Sequence, residues 1–319
     1  MYFVEKDLKK WFLWNNCLFF LYICKKNEAM ISIIICSRKP DISEGLKRNI
    51  TETIGVDYEL IVIDNSNNCY SIFSAYNEGL KSAKGDVLCF MHEDVFFHSN
   101  FWGKNVENYF EKHEVVGLLG VAGTHYLPKM PAAWWDTEMR SGHLLQGSIV
   151  DGEYKIIREE LWDDYRCKPT CVASVDGLWM CFRKAVFNEI RWDDKNFSGF
   201  HGYDTDISLQ VINLGFEVHI FWDITIEHKS VGVAKMDFYH SLDLLFKKWG
   251  DKLPIIRGVA LSESEMKARM RIAELRHELF YSDYRLREIC QSRAYRWCQY
   301  LYNPMMAFAS IKSHIKRLL

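Results

Sequence analysis

The stretch "DVLCFMHEDV", residues 86–95, decides the fold class of this chain. Residues 86–91 form a short, mostly apolar run, as expected for a strand that is covered on both faces of a parallel sheet. His92, Glu93 and Asp94 follow at once, and hydrophobicity resumes at Val95. Three polar groups at the end of a buried strand predict a metal site, an acid–base site or a cap of the next turn.

Two similar apolar runs come before this strand, at residues 31–36 and 58–64. Helical patterns separate the three runs: one covers 41–53 with Ser43 as N-cap, and one covers 71–85 with Gly85 at the C′ position. The alternation predicts βαβ units and an α/β fold with a mostly parallel sheet flanked by helices.

The carboxyl ends of parallel strands meet at one edge of a sheet, where ligands bind. Three polar segments should therefore converge there, namely Cys36-Ser37-Arg38, Asp64-Asn65 and His92-Glu93-Asp94. One polar strand end could arise by chance, but three together indicate a site.

The second half of the chain adds further polar groups. Asp176 and Gly177 open a predicted strand within residues 173–187, and a helix start follows it. Asp204 and Asp206 precede a predicted helix at 207–214, after which come a strand at 217–221 and another strand that ends on His228. The helix dipole favours carboxylates at this position, by about 0.3–1 kcal/mol each, and this explains one aspartate better than two.

Motifs that bind phosphate through glycine-rich loops are missing. The turn after the first strand reads "CSRKPDIS" without a glycine, which excludes a Rossmann fingerprint, and the chain has no P-loop pattern. A carboxylate-held divalent cation is then the obvious way to neutralise phosphate. The net charge of −2 gives no reason to expect nucleic acid as a partner.

The ten cysteines lack a regular spacing, which is typical of reduced thiols in a cytosolic protein. Cys167 and Cys171 form a CxxxC without a second pair at zinc-finger spacing, so a zinc site is the weaker interpretation.

Six segments together resemble the inverting, family 2-like glycosyltransferases of GT-A fold, from about Met30 to Val233. They are "ISIIICSRK", "ELIVIDNS", "AYNEGLKSAKGDVLCFMHEDV", "VDGLWMCFRKAVF", "FHGYDTDISLQV" and "IEHKSVG". The resemblance is greatest to the bacterial branch whose metal motif reads His-x-Asp-Val in place of Asp-x-Asp. It implies a GT-A-type, Rossmann-like sheet.

The resemblance also implies roles for individual residues. Contacts to the nucleotide sugar would come from Cys36, Ser37, Arg38, Asp64, Asn65, Asn77, Asp176 and Gly177. Asp94 matches the position that holds Mn²⁺ or Mg²⁺ against the donor diphosphate, and His228 matches a late histidine that completes the metal or the diphosphate site. His92 replaces the first aspartate of the metal motif. Asp204 matches the general base. Because Tyr203 stands where the family has glutamate, Asp206 competes with Asp204 for this role.

The implied reaction is transfer of a sugar, with inversion, from a nucleotide-diphosphate sugar to an acceptor hydroxyl. A UDP-sugar is the expected donor, a glycan or lipid-linked acceptor the expected partner, and surface polysaccharide assembly the expected setting. Two alternatives remain open. The first is a non-catalytic relative that binds sugar nucleotides or glycans, because His92 and Tyr203 depart from the family pattern. A sugar nucleotidyltransferase should have a glycine-rich, basic loop after the first strand, and that loop is missing.

We predict that the chain has three parts: an extension at 1–29, a GT-A domain at 30–260 and a helical basic tail at 261–319. The apolar run at 11–23 is too short to span a bilayer. Either translation starts at Met30 and the extension is not native, or it forms a helix that touches a membrane.

The tail carries seven Lys/Arg in 281–319 against Asp283 and Glu288, with aromatic residues between them. This pattern indicates a peripheral contact with the inner face of the cytoplasmic membrane, or else helices packed on the domain or on a second subunit.

Overall fold

The computed structural model describes residues 30–162, 170–230 and 236–302. The run at 11–23, Cys167 and the tail beyond residue 302 lie outside these ranges. The proposed division at residues 29/30 and 260/261 stays a prediction.

The described residues form strands and helices in an alternating order. The strands are β1 (Ile31–Ser37), β2 (Tyr58–Asp64), β3 (Val87–Met91), β4 (Val95–Phe97), β5 (Val116–Gly120), β6 (Ala122–Thr124), β7 (Tyr126–Leu127), β8 (Arg140–Val150), β9 (Glu153–Trp162), β10 (Thr170–Val172), β11 (Ser174–Val175), β12 (Trp179–Arg183), β13 (Glu217–Ile220), β14 (Ile226–His228) and β15 (Ile255–Ile256). The helices are α1 (Glu44–Thr53), α2 (Ile72–Ser82), α3 (Trp102–Lys112), α4 (Tyr203–Asn213), α5 (Met236–Trp249), α6 (Glu263–Gln291) and α7 (Arg293–Tyr302). Short 3₁₀ turns cover Trp134–Thr137 and Lys184–Asn188.

The main sheet has the strand order β10-β13-β5-β12-β3-β1-β2. Strand β1 pairs in parallel with β2 and β3, and β13 pairs in parallel with β5. Strand β12 runs antiparallel between β3 and β5, and β10 lies antiparallel at the edge. The predicted mostly parallel sheet is therefore confirmed. The carboxyl ends of β1, β2 and β3 share one edge with the amino end of β12.

Hydrophobic burial holds this sheet between two apolar layers. Alternate side chains of β1 point to opposite faces, with Ile34 in one buried cluster and Ile33 and Ile35 in the other. Every residue of β3 is buried, which explains why its sequence is continuously apolar.

Local sequence signals explain some of the helix ends. Ser43 caps α1 as predicted, because its hydroxyl accepts a hydrogen bond from the amide of Leu46 at 3.2 Å. The predicted end of α2 at Gly85 is wrong, since the helix ends at Ser82. Gly85 instead lets two backbones approach, because a Cβ there would lie 2.4 Å from the carbonyl oxygen of Met30.

Helix α4 begins four residues earlier than the predicted start at 207. Gly202, in the left-handed region at φ 78°, precedes it, so that Asp204 and Asp206 both lie in its first turn. The predicted helix start after β12 is a short 3₁₀ turn.

A second sheet, in the order β11-β6-β8-β14-β4 with β9 on β8, covers one side of the predicted site. Strand β14 runs antiparallel to β4, so His228 pairs with Val95. The amide of Lys229 also donates to the carbonyl of Asp94 at 2.8 Å. This pairing brings the end of β14 against the residues that follow β3.

The predicted helical tail is confirmed as far as residue 302. Helix α6 starts with a capping box in which the Ser262 hydroxyl accepts from the Glu265 amide, while the Glu265 carboxylate accepts from the Ser262 amide. Within the described ranges, no helix combines the length and apolar character needed to cross a bilayer.

Candidate functional site

Three potential metal ligands come together at the end of β3. Ligand atoms of His92, Asp94 and His228 all lie within 4.8 Å of one another. Asp94 Oδ1 is 3.6 Å from His228 Nε2 and 3.9 Å from His92 Nδ1. Two imidazole nitrogens and a carboxylate oxygen are donors that suit a divalent first-row metal ion, so the residues fit a cation site.

The surroundings keep Asp94 ionised. Burial alone would raise the pKa of its carboxyl, but hydrogen bonds from His228 and Ser230, together with the charge of His228, hold that pKa well below its usual range. The Ser230 hydroxyl donates to Asp94 Oδ2 at 2.5 Å. Burial would lower the pKa of His228, and the Asp94 carboxylate raises it overall. Asp94 therefore offers a negative charge at any physiological pH.

The two departures from the family pattern contact each other. His92 Nε2 lies 2.6 Å from the hydroxyl oxygen of Tyr203, although 111 residues separate them along the chain. Gly177 makes room for this hydroxyl, because a Cβ at Gly177 would lie 2.1 Å from it. No periodicity or spacing in the sequence signals this pair, since only the folded sheet edge brings the residues together.

Glu93 lies between two candidate ligands in the sequence, but its side chain contacts the loop after β1. Its carboxylate accepts hydrogen bonds from the Ser37 hydroxyl at 2.6 Å, the Arg38 amide at 3.2 Å and Arg38 Nε at 3.1 Å. Burial opposes the charge, yet these donors lower the pKa of Glu93. Glu93 thus fixes the loop after β1. The sequence interpretation gave it no role in binding.

The structure places the predicted nucleotide residues in different environments. Asp64 lies at the exposed end of β2, where its carboxylate accepts from the Ser66 amide at 2.9 Å. Asn65 is 2% exposed. Its side-chain oxygen accepts from the Tyr70 amide at 2.8 Å, and its side-chain nitrogen donates to the Tyr70 carbonyl at 3.0 Å. The Cys36 thiol is half-buried, and burial raises its pKa to about 11. Asp64 therefore has a free face for a ligand, and Asn65 shapes the loop.

Asn77 makes hydrogen bonds with the backbone of a distant residue, Trp192. Its side-chain amide donates to the Trp192 carbonyl at 2.8 Å and its oxygen accepts from the Trp192 amide at 3.2 Å. These bonds tie α2 to the chain segment before α4. The structure thus gives Asn77 a structural role, and its implied contact with the nucleotide stays a prediction.

Asp204 and Asp176 form a pair of carboxylates beside the cation ligands. Asp204, partly exposed in the first turn of α4, accepts hydrogen bonds from the amides of Thr205 (2.8 Å) and Gly177. Asp176 accepts from the Leu178 amide at 2.8 Å. Burial, and then the charge of Asp176, raise the pKa of Asp204 to about 7. A carboxyl with this pKa can exchange a proton near neutral pH.

Asp206 faces the core behind the site. It is 1% exposed, and its oxygens contact Lys248 Nζ at 2.7 Å, Trp249 Nε1 at 2.8 Å and Gln210 Nε2 at 2.7 Å. Burial raises its pKa, although Lys248 opposes the shift. With this set of partners, Asp206 joins α4 to α5.

A second group of potential ligands, Cys171, Glu217 and His219, lies at the β10–β13 edge. Both nitrogens of His219 already have protein partners: Tyr109 at 2.9 Å on Nδ1 and Glu217 at 2.7 Å on Nε2. Cys167, the other half of the CxxxC, is outside the described residues. The zinc interpretation stays untested.

The fold and this edge define an α/β protein with acidic and imidazole groups where loops follow the parallel strands, the place where ligands bind in such sheets. The family model described as "Glycosyltransferase like family" matches residues 32–237. The chain belongs to this glycosyltransferase-like family, and the expected GT-A-type fold is confirmed.

Solved structures show weaker likenesses. GalNAc-T7, crystallised with UDP, GalNAc and Mn²⁺, is 12% identical with a TM-score of 0.45; the match covers 85% of this chain and 57% of that one. S. aureus TarS 1–349 in complex with UDP-GlcNAc is 11% identical with a TM-score of 0.43, over 83% of this chain and 74% of that one. No curated protein gives a significant match in sequence.

Proposed function

We propose that this protein is an inverting glycosyltransferase that moves a sugar from a nucleotide-diphosphate sugar to an acceptor hydroxyl. The observation that carries the proposal is the meeting of two chemistries at one sheet edge. A trio of potential cation ligands, His92, Asp94 and His228, lies beside a carboxyl, Asp204, whose pKa is about 7. Sugar transfer needs both, because a diphosphate must leave and a hydroxyl must lose its proton.

The donor would lie across the ends of β1, β2 and β3. The loop Cys36-Ser37-Arg38 and the exposed Asp64 would contact the base and ribose. Mn²⁺ or Mg²⁺ bound by His92, Asp94 and His228 would neutralise the diphosphate of the donor. The fit rests on the three donor atoms and on the low pKa of Asp94.

We expect Glu93→Ala to weaken UDP binding about 5- to 30-fold, because the loop after β1 loses charge-assisted hydrogen bonds worth about 1–2 kcal/mol. Isothermal titration of UDP in the presence of Mn²⁺ measures the effect. Glu93→Gln retains an acceptor for Ser37 and should recover part of the affinity. If Glu93→Ala binds UDP as tightly as the wild type, the hydrogen bonds between Glu93 and the loop after β1 do not contribute to UDP binding.

Asp204 would act as the general base. It is partly exposed, so an acceptor hydroxyl can reach it, and it lies close enough to Asp176 for the two charges to interact. Asp176 would raise the basicity of Asp204 while its own carboxylate stays bound to the Leu178 amide. A single base implies one displacement step and inversion at the anomeric carbon. Proton NMR of the first-formed product tests the configuration.

The raised pKa of Asp204 predicts how activity depends on pH. A base works only when it is deprotonated, so kcat/KM should rise about tenfold per pH unit below pH 7 and level off above it. Initial rates from pH 5 to 9 at saturating Mn²⁺ measure the profile. The residual activity of Asp204→Asn should lack the rise. A flat profile from pH 6 to 8 would argue against Asp204 as the base.

A donor screen separates the proposed function from its alternatives. Unfolding temperature would be recorded with UDP-, GDP- and dTDP-sugars plus Mn²⁺, since a ligand that binds the folded state stabilises it. Turnover of the best donor would then be assayed with glycan and lipid-linked acceptors. Binding without any turnover would favour a non-catalytic relative. Formation of a sugar nucleotide from a nucleoside triphosphate would favour a nucleotidyltransferase.

The acceptor and the setting belong to the same proposal. A lipid-linked glycan at the inner face of the cytoplasmic membrane, in surface polysaccharide assembly, would suit the tail. Helices α6 and α7 expose Leu279, Leu286 and Trp297 to solvent next to arginines such as Arg285 and Arg293. Apolar side chains next to basic ones are typical of helices that lie on anionic membranes.

A further inference from the structure

Tyr203 is held rigidly beside the cation ligands. Its side chain is 5% exposed, and its ring packs among those of Phe73, Tyr76 and Trp192, with centroids 5.9–6.2 Å away. Helix α4 begins at this residue, so the backbone is fixed as well. The hydroxyl therefore has a defined position, 2.6 Å from His92 Nε2.

This hydrogen bond decides which nitrogen of His92 faces the cluster. With Nε2 bound to Tyr203, Nδ1 is the nitrogen directed to Asp94, at 3.9 Å from Oδ1. A ring nitrogen that binds a cation must be free of its proton, so the proton would reside on Nε2 and the Tyr203 oxygen would accept it. Partners of this kind orient metal-binding histidines and increase their basicity.

We infer that Tyr203 is a positioning residue that turns His92 into a nitrogen ligand, and that the resulting site prefers Mn²⁺ or Co²⁺ to Mg²⁺. The inference rests on the proposed function, since it concerns the cation that holds the donor. Imidazole nitrogen suits first-row transition ions, whereas Mg²⁺ favours oxygen ligands and keeps its waters. Two nitrogens among three protein ligands therefore set the preference.

Gly177 belongs to the same arrangement. Because a Cβ there would lie 2.1 Å from the Tyr203 oxygen and 2.3 Å from Cζ, only glycine leaves room for the ring end beneath the loop before β12. The same loop also contacts His92 directly, because the His92 amide donates to the Leu178 carbonyl at 3.0 Å. Gly177 thus provides space for the Tyr203–His92 contact in addition to its implied place near the donor.

Mn²⁺ binding, followed by EPR of the free ion in the presence of saturating UDP, tests the inference without an activity assay. Tyr203→Phe retains the ring and removes the hydroxyl, and we expect it to weaken Mn²⁺ binding about 10- to 100-fold. Tyr76→Phe is the matched control. It makes the same change in the same aromatic cluster, at a buried hydroxyl that has no hydrogen-bond partner among the described residues, and it should bind Mn²⁺ like the wild type.

Competition by Mg²⁺ tests the preference. Wild type should require at least about tenfold more Mg²⁺ than Co²⁺ to displace Mn²⁺, and His92→Asp should reduce that ratio. Thermal unfolding of each variant would show that it is folded. If Tyr203→Phe binds Mn²⁺ like Tyr76→Phe, or if Mg²⁺ competes equally well, the inference is wrong while the cation site itself stands. If the wild type binds no Mn²⁺ with UDP, the cation site in the proposed function fails too.

Discussion

Asp94→Ala should abolish cation-dependent binding of the donor and reduce kcat/KM by about 10³-fold or more, equivalent to about 4 kcal/mol. Asp94 is the only carboxylate in the trio, and hydrogen bonds from His228 and Ser230 keep it charged. Without it, the trio is left with two imidazoles and no carboxylate ligand for a divalent ion. Loss of this charge should exceed any effect of changing His92 alone.

Titration of Mn²⁺ and UDP into the Asp94→Ala variant measures the loss of binding, and initial rates measure the loss of turnover. Asp86→Ala is a matched control, because Asp86 is an exposed aspartate just before the opposite end of β3. It should retain both properties. Mn²⁺-dependent UDP binding by Asp94→Ala at wild-type affinity would show that the cation is held elsewhere.

Asp204→Asn should reduce kcat by about 10²- to 10⁴-fold, the usual contribution of a positioned base, while UDP and Mn²⁺ still bind. The asparagine keeps the size of the side chain, and its one oxygen can still accept from the Thr205 amide, but it cannot take up a proton. The variant should therefore separate binding from chemistry. Steady-state rates together with UDP titrations measure the two effects.

Asp206→Asn tests whether Asp206, and not Asp204, is the general base, a choice that the sequence leaves open. This buried carboxylate contacts Lys248, Trp249 and Gln210, so its loss should destabilise the fold by about 1–3 kcal/mol. Turnover per folded molecule should change little, and thermal unfolding should show the effect. The opposite result, with Asp206→Asn inactive and Asp204→Asn active, would transfer the base role to Asp206.

The main features of this fold could be predicted because they depend on local patterns. Continuous apolar runs indicate buried parallel strands, and the polar residues that end them must meet at one edge. Asp64 and the His92–Asp94 segment are examples, and both lie where the strand pattern puts them. The cap at Ser43 depends on the next three residues alone.

Features that depend on distant contacts could not be predicted. Asn77 lies on a helix beside the sheet edge, yet its amide binds Trp192, 115 residues away. Asp204 and Asp206 are two residues apart in the same turn, and only the packing of α5 distinguishes them. The contact between His92 and Tyr203 likewise requires the assembled sheet. Residue types alone identified the candidates, and tertiary packing assigns them different tasks.

The short link between β3 and β4 imposes a constraint on the length of the chain. Three residues join the two strands, and each strand is fixed in register, β3 by β1 and β12 and β4 by β14. The link turns at Glu93 and Asp94, and its three residues His92, Glu93 and Asp94 contact Tyr203, the β1 loop and Ser230, respectively. Insertion or deletion of one residue between β3 and β4 would change the contacts of all three residues together. The segment can therefore tolerate a change of side chain far better than a change in the number of residues.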